Sequence, residues 1–312
     1  MIMLSLLFSC NGSRPGCTDP DALNYDPDAT EDNGSCIYPE VSLEPLKSLD
    51  LSEQLNETSG LIYWNGSLFT HNDQADIQLY QLDTSSAVIE TTYSLTGASN
   101  NNWEDLCQDS EYIYVGDFGN NLSGNRQDLH VLRVEKEGLL ADEIRMDTIW
   151  FRYSDQEDYS PSAPNQTEFD CEAIISWGGQ LFLFTKQWIS GKTSLYSLPK
   201  TPGNHIAVKQ DSYQVDGLVS GASVFADEGL VVLCAYDKLL QPFLVLLSDF
   251  KDQAFFSGHT RKVILSLPFH QVEGIAAAEN RICYITNESY SLPTGSLFPQ
   301  KCHRLDLSPL LD

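Results

Sequence analysis

The sequence predicts an all-β fold, a five-bladed β-propeller in which each blade is a four-stranded antiparallel sheet. Three observations carry this prediction: five similar segments of about 50 residues, short strands joined by tight turns within each segment, and weak helical periodicity throughout. With 312 residues and 42% hydrophobic side chains, the chain is long enough for one large domain with a packed core and a small appendage.

Each repeat begins with a strand that we expect to lie innermost in its blade. These strands start at Glu57, Glu104, Cys171, Gly221 and Val272. Turn signals such as Asn65-Gly66 and Gly178-Gly179 follow them and lead into second strands. The second repeat is longer because it contains a Ser-, Pro- and Asp-rich stretch at residues 153–170, which predicts a loop on one face. If this repeat instead contains a further blade, the count becomes six.

The fifth repeat shows no fourth strand after its third strand, KCHRLDL. A segment of the matching type, Val41 to Leu51, precedes the first repeat, with near-alternating apolar residues and an interruption at Pro45 that suits an edge strand. We therefore expect this N-terminal strand to complete the last blade. Such closure removes the exposed edges that an open array of sheets would present.

The N-terminus predicts export and lipid anchoring. An apolar run from Ile2 to Phe8 is followed by Cys10, and the run Leu7-Phe8-Ser9-Cys10 resembles a bacterial lipobox, in which the cysteine is acylated. The alternative is a buried apolar N-terminal strand. No later segment approaches the roughly 20 apolar residues needed to span a bilayer. The expected divisions are a signal peptide at 1–9, a small module at 10–39 and the propeller at 40–312, in a protein of the outer membrane or cell surface.

The module has a recognisable pattern of its own. Residues 16–38 read GCTDPDALNYDPDATEDNGSCIY and resemble a short module, GCTDPxAxNYxPxAxxDDGSC, of secreted and surface proteins of Bacteroidota. Cys17 and Cys36 bracket it and are expected to form a disulfide that orders a segment too small for its own core. Alternating carboxylates suggest a Ca²⁺ loop or, equally, a solvated array of turns; they are Asp19, Asp21, Asp26, Asp28 and Asp32.

Charge narrows the classes of partner. The chain has 18 Lys and Arg residues against 44 Asp and Glu residues, a formal net charge of −26. No basic stripe is present to neutralise phosphates, so a nucleic-acid partner is excluded. An acidic surface of this kind fits a cation-rich medium or divalent-metal sites, or serves only solubility.

The repeats predict a polar face at the mouth of the central channel. The innermost strand of a blade starts, and the second strand ends, on the same face. At these positions the sequence places a set that we take as the candidate ligand-binding face: Glu57, His71, Asn72, Asp73, Glu104, Asp105, Asp117, Asn120, Glu172, Lys186, Asp237, His270, Glu273, Asn287 and Glu288. Bound Ca²⁺, the cation of Lys186 or raised carboxylate pKa values would offset the repulsion among so many acids. The alternative is that these residues hydrogen-bond the backbone of neighbouring blades.

Other motifs add little chemistry. His71 and His270 could form a pair with Glu273 or be unrelated surface histidines, and Trp64, Trp103, Trp177 and Trp188 could serve blade packing or a ligand platform. The sequence contains no GxSxG, HExxH, P-loop or GxGxxG motif.

Two family resemblances follow from the strand starts. The run ETSGL…THND, NWEDL…YVGDFGNN, DCEAI…LFTK and VEGIA…YITNES, over roughly residues 41–308, resembles a family of uncharacterised Bacteroidota propeller lipoproteins. The triplets Glu172-Ala173-Ile174 and Glu273-Gly274-Ile275 are distantly similar to esterase-like phytase and SdiA-regulated propellers, which implies a propeller fold and, for some members, phosphoesterase activity or calcium.

Two functions therefore compete. The favoured one is a non-catalytic surface module that binds a protein, a glycan or another ligand through the polar face. The alternative is a metal-dependent, phosphoesterase-like hydrolase that uses Glu104, Glu172 and Glu273 as ligands or bases.

Overall fold

The structure is a computed structural model that describes residues 12–74, 76–291, 295 and 297–311. The expected signal peptide and lipidation site at Cys10 lie outside these residues. The described chain consists mainly of strands and connecting loops, with a single short α-helix, α1 (Lys136–Leu140), and five 3₁₀ turns. Among the described residues, no helix is both long enough and apolar enough to cross a membrane.

Four short strands come first: β1 (Pro15–Gly16), β2 (Glu31–Asp32), β3 (Ser42–Leu43) and β4 (Lys47–Asp50). The body of the domain consists of antiparallel meanders. The first comprises β5 (Thr58–Trp64), β6 (Ser67–Asn72), β7 (Gln78–Leu82) and β8 (Ile89–Ser94). The second comprises β9 (Trp103–Gln108), β10 (Tyr112–Asp117), β11 (His130–Glu135) and β12 (Met146–Tyr153).

The third meander comprises β13 (Asp170–Trp177), β14 (Gln180–Lys186), β15 (Lys192–Pro199) and β16 (Gly203–Gln214). The fourth comprises β17 (Leu218–Phe225), β18 (Leu230–Tyr236), β19 (Pro242–Ser248) and β20 (His259–Leu265). The last comprises β21 (Val272–Ala277), β22 (Ile282–Asn287) and β25 (Lys301–Asp306), interrupted by a small hairpin of β23 (Tyr290–Ser291) and β24 (Leu297–Phe298). The strand order thus follows the repeats that the sequence predicts.

The innermost strands of the meanders pack against one another around a central axis. In the described structure β5 contacts β9, β9 contacts β13, β13 contacts β17, β17 contacts β21, and β21 returns to β5. The approach is close at Gly274, where an added Cβ would lie 2.5 Å from the carbonyl oxygen of Ser59 in the neighbouring sheet. This radial packing of antiparallel sheets is a β-propeller fold.

Hydrophobic cores lie between successive sheets rather than inside one central layer. Leu61 and Tyr80 of the first meander, for example, share a buried cluster with Ile282 and Tyr284 of the last. The second and third meanders are further joined edge to edge, because β12 pairs in parallel with β16 from Ile149 and Gly203 onwards. Each sheet therefore depends on its neighbours to bury both faces.

The N-terminal segment completes the last sheet, as the sequence predicts, but not as one continuous strand. Strand β4 pairs antiparallel with β25, whereas β3 pairs in parallel with β20 of the fourth meander. Pro45 lies between the two short strands and has no backbone N–H with which to continue a ladder. The segment therefore adds one short strand to each of the last two sheets, rather than one long strand to the last sheet alone.

The small module is held by the expected disulfide and docks on the fourth meander. Cys17 and Cys36 are bonded to each other, whereas the other cysteines of the described part are buried and unpaired: Cys107, Cys171, Cys234, Cys283 and Cys302. His259 of β20 lies 3.2 Å from Asp32 and 3.5 Å from Asp19 of the module. Arg261 stacks on the ring of Tyr38 at 5.5 Å.

Four of the five candidate carboxylates of the module have partners within the protein. Asp19, Asp26 and Asp32 accept backbone N–H groups two residues ahead, from Asp21, Asp28 and Gly34. Arg14 lies 3.4 Å from Asp26 and 3.0 Å from Asp28. Among the described residues, no three of these carboxylates offer oxygens within 4.8 Å of one another. Calcium binding by the module stays a prediction.

Candidate functional site

A cavity of about 780 Å³ opens at one end of the central axis, and we call it the central cavity. Its walls come from all five meanders and from the loops that follow their second strands. It is lined by Ser59, Asp73, Glu104, Asn121, Asn165, Glu172, Lys186, Trp188, Ile189, Ser190, Gly191, Gln214, Asp216, Gly217, Leu218, Tyr236, Asp237, Lys238, Leu239, Leu240, Gln271, Glu273, Glu288 and Tyr290. Its size is that of a site for a small organic ligand.

A buried ammonium group lies in the central cavity. Lys186 is the last residue of β14, and its Nζ lies 3.1 Å from an oxygen of Glu172 and 3.9 Å from one of Glu273. The same Nζ lies over the rings of Trp188, at 4.9 Å, and Tyr236, at 5.2 Å. Burial acts to lower the pKa of Lys186, but Glu172 and Glu273 outweigh it and raise this pKa well above its usual value. The two neighbouring carboxyl groups therefore favour the charged form of Lys186.

Carboxyl groups outnumber this cation, which is the single buried one among the described lining residues. Burial is the main cause of the raised pKa values of Glu104, Glu172 and Glu288, and neighbouring carboxylates add to it. Burial, reinforced by Glu57 and Glu273, raises the pKa of Asp73 to about 7. Burial and the charges of neighbouring side chains thus set the pKa values of the acidic groups in the central cavity.

Two of these carboxylates share one amide donor. The side-chain Nε2 of Gln271 donates to Glu273 at 2.8 Å and to Glu288 at 2.9 Å. The other oxygen of Glu273 is buried and has no hydrogen-bond partner in the described part of the chain, and the same holds for Oδ1 of Asp73. Acceptors of this kind are costly to leave unpaired, so they are available for a donor that enters the cavity.

Asp105 is adjacent to Glu104 in sequence but has a different role. Its side chain is fully buried and accepts N–H groups from Leu106 at 2.8 Å, Ile174 at 2.9 Å and Ala222 at 3.3 Å. Burial raises the pKa of Asp105, and these backbone donors act in the opposite direction. Because the donors belong to three innermost strands, Asp105 links three sheets. This agrees with the alternative in which residues at the strand starts hydrogen-bond the backbone of neighbouring blades.

Other residues of the expected face also hold the framework. Asp117 pairs with Arg126 at 2.7 Å and accepts the backbone N–H of Asn101 at 3.0 Å. Asn120 donates to the carbonyl of Phe169 at 3.0 Å, which fixes the loop before β13. These contacts organise the second and third meanders behind the cavity wall.

Three further members of the expected set, Asn72, Asn287 and Glu57, do not line the cavity. Asn72 donates to the carbonyl of Gln54 at 3.0 Å, and Asn287 donates to that of Pro299 at 3.0 Å. Glu57 acts on Asp73 through its charge.

The two histidines are not brought together. The buried ring of His71 meets Trp103 edge-on at 5.6 Å, whereas His270 lies against His303 at 5.5 Å. Burial lowers the pKa of His71 to about 4, so this ring is neutral near pH 7.

The structure brings together seven of the fifteen residues expected on the face: Asp73, Glu104, Glu172, Lys186, Asp237, Glu273 and Glu288. It adds lining residues that the repeat pattern does not mark, notably Ser59, Gln271 and Tyr290. Part of the rim comes from the loop predicted at residues 153–170, where the N–H of Asn165 donates to the carbonyl of Asn121 at 2.8 Å. Gln271 could have been found from its position two residues before Glu273.

The hydroxyls of two lining serines have partners within the protein. That of Ser59 donates to the backbone carbonyl of Glu104, and that of Ser190 donates to a carboxylate oxygen of Glu168 at 2.6 Å. The five unpaired cysteines of the described chain are buried in the sheets and do not line the cavity. The arrangement can bind charged groups and can exchange protons with them.

No family model matches the sequence, and no curated protein matches it. A crystal structure of glucose dehydrogenase has a similar fold, with 11% sequence identity, a TM-score of 0.46, and a match over 83% of this chain and 99% of that chain. The WD40 repeats of RRP9 are also similar, with 6% identity, a TM-score of 0.43, and a match over 84% of this chain and 98% of that chain. Hydrazine synthase of Kuenenia stuttgartiensis matches over 79% of this chain, with 8% identity and a TM-score of 0.38, and this chain spans 59% of its length. These similarities concern the fold and carry no information about activity.

Proposed function

We propose that this protein is a non-catalytic binding module that takes a ligand in its central cavity. The observation that carries the proposal is the buried Lys186–Glu172 pair within a cavity of about 780 Å³. Burying two charges is costly, and a chain gains nothing in stability from such a pair that apolar residues could not supply. A charged group placed inside a ligand-sized cavity is therefore best explained by recognition.

A phosphoesterase is less well supported by the same geometry. Among the described lining residues, the one buried ammonium is already paired with Glu172, and carboxyl groups rather than further buried cations surround it. A bridging metal would need several oxygens around one point, and no three carboxylates of the described residues approach within 4.8 Å. Binding without turnover remains the better account.

A thermal-shift screen tests the binding proposal. We expect members of a panel of small amines, sugars, carboxylates and amino acids to raise the midpoint of unfolding by at least about 2 °C at saturation. Trp188→Ala, which removes part of the cavity wall, should abolish the shift. The matched control is Trp150→Ala, because Trp150 is 40% exposed and does not line the central cavity.

Two outcomes would contradict the proposal. One is that no compound of any charge shifts the midpoint. The other is hydrolysis of p-nitrophenyl phosphate by the wild-type protein with Ca²⁺, lost in both Glu172→Ala and Glu273→Ala, which would favour the metal-dependent hydrolase.

We also propose that each meander is one blade, so that the propeller has five blades. The cyclic contacts of β5, β9, β13, β17 and β21 support this count over six. The loop at residues 154–169 contains no strand that could start a further blade.

Export with a lipid anchor at Cys10 belongs to the same proposal. The lipobox-like run supports it, and so does the Cys17–Cys36 disulfide, which is typical of proteins in oxidising compartments. We expect Cys10→Ala to move the protein from the membrane fraction to the soluble fraction when expressed in a bacterium that processes lipoproteins. Retention of this variant in membranes, at the wild-type level, would show that the anchor lies elsewhere.

A further inference from the structure

We propose that the ligand of the central cavity carries an organic ammonium group, which pairs with Glu273, Asp73 and Glu288. This inference rests on the proposed function and names the chemistry that the cavity recognises. The expected ligand is a small amine with an apolar body.

The first argument is the imbalance of charge. Seven of the described lining residues are acidic, against two cations, Lys186 and the exposed Lys238; the acids are Asp73, Glu104, Glu172, Asp216, Asp237, Glu273 and Glu288. Lys186 is the one buried cation among the described lining residues, and Glu172 takes its shortest contact, at 3.1 Å. The carboxylates that remain would repel one another unless a further positive charge joins them or they bind protons.

The second argument is an unpaired acceptor. Glu273 is 3% exposed, and its Oε2 lies 3.9 Å from Lys186 and has no hydrogen-bond partner among the described residues. Within the same part of the chain, Oδ1 of Asp73 is likewise buried without a donor. Buried carboxylate oxygens in native proteins are almost always paired, so both oxygens point to a donor supplied from outside the chain. An ammonium group provides three N–H donors and the missing charge.

The third argument separates an organic cation from a bare metal ion. Ca²⁺ requires six to eight oxygens at about 2.3–2.6 Å, which places those oxygens close together. The carboxylates of the cavity do not converge in this way, since no three of the described residues bring oxygens within 4.8 Å. An ammonium group with a carbon body spans more widely separated acceptors and fills more of a cavity of about 780 Å³.

The walls support the apolar body. Ile189 is 61% exposed and Leu239 is 77% exposed, and both line the cavity together with Tyr290. Lys186 itself shows that an ammonium on an alkyl stem is accommodated here, between carboxylates and the aromatic rings of Trp188 and Tyr236. A ligand with one charged end and an apolar end would match the acidic interior and the apolar rim.

Isothermal titration with three six-carbon probes tests the inference. Hexylammonium is the cationic probe, 1-hexanol the neutral one and hexanoate the anionic one. We expect hexylammonium to bind with one site per chain and at least tenfold more tightly than either of the other probes. We expect Glu273→Gln to weaken hexylammonium at least tenfold, while the surface variant Glu90→Gln, on the exposed part of β8, leaves its affinity unchanged.

The outcomes separate the inference from the proposed function. Binding of hexanol or hexanoate as tight as that of hexylammonium would overturn the ammonium assignment and leave the binding module standing. Absence of binding by every probe, together with a failed thermal-shift screen, would overturn both. Tight Ca²⁺ binding that excludes hexylammonium would assign the site to a metal instead. If Glu273→Gln does not fold, Asp73→Asn provides the same comparison.

Discussion

Removal of residues 1–52 is expected to lower the free energy of unfolding by roughly 5 kcal/mol or to prevent folding. The deletion removes β4, the outer strand of the last sheet, and leaves the backbone of β25 unpaired along Lys301–Arg304. It also removes Leu51, which is buried between the last and first sheets, and the pairing of β3 with β20. Chemical denaturation of the truncated and longer forms would measure the difference.

The matched control for this deletion is removal of residues 1–39. That form keeps both β3 and β4 and loses the small module, whose contacts with the propeller include partly exposed ion pairs such as Lys251–Glu31. Exposed pairs contribute at most about 1 kcal/mol each. The idea that the N-terminal segment closes the propeller would fail if the two truncated forms unfolded at the same denaturant concentration.

Replacement of Asp105 by leucine is expected to destabilise the protein by at least about 3 kcal/mol. The substitution leaves three buried N–H groups, those of Leu106, Ile174 and Ala222, without their acceptor. These donors lie on β9, β13 and β17, so the loss affects the packing of three sheets around the axis. The change would be measured as a lower midpoint in thermal and chemical unfolding.

The neighbouring residue supplies the control. Glu104→Gln removes a carboxyl group that lines the cavity, and its pKa is already raised by burial and by Glu172. A neutral amide of nearly the same shape should therefore leave stability close to that of the wild type. Equal stability of Asp105→Leu and the wild type would show that Asp105 does not tie the sheets.

Most of the architecture could be predicted from local signals. The innermost strands carry small or acidic residues close to their starts, and turn signals such as Asn65-Gly66 and Gly178-Gly179 mark the hairpins that the structure contains. Closure by the N-terminal segment was predictable because one repeat lacks a strand and a spare one precedes the first repeat. Pro45 was the one local signal that this segment divides into two strands. The parallel pairing of β3 with β20 has no local signal, because it depends on where the last two sheets meet.

The candidate site could be predicted only in part. The strand ends identified Glu172, Lys186 and Glu273, whose ion pairs lie in the central cavity. They also identified Asp117 and Asn120, which hydrogen-bond the framework instead. Position at a strand end places a residue near the axis, but its hydrogen-bond partners come from distant parts of the chain and have no local signal.

What the sequence by itself determined is the repeat, the order of strands and the set of polar residues near one end of the axis. These follow from alternation, turn chemistry and spacing, which act within about 50 residues. Only the tertiary structure decided which acids face the cavity and which bind backbone. Glu104 and Asp105 are adjacent, yet one lines the cavity and the other accepts N–H groups from Ile174 and Ala222, because successive side chains of a strand point to opposite faces and the neighbouring sheet determines what each face meets.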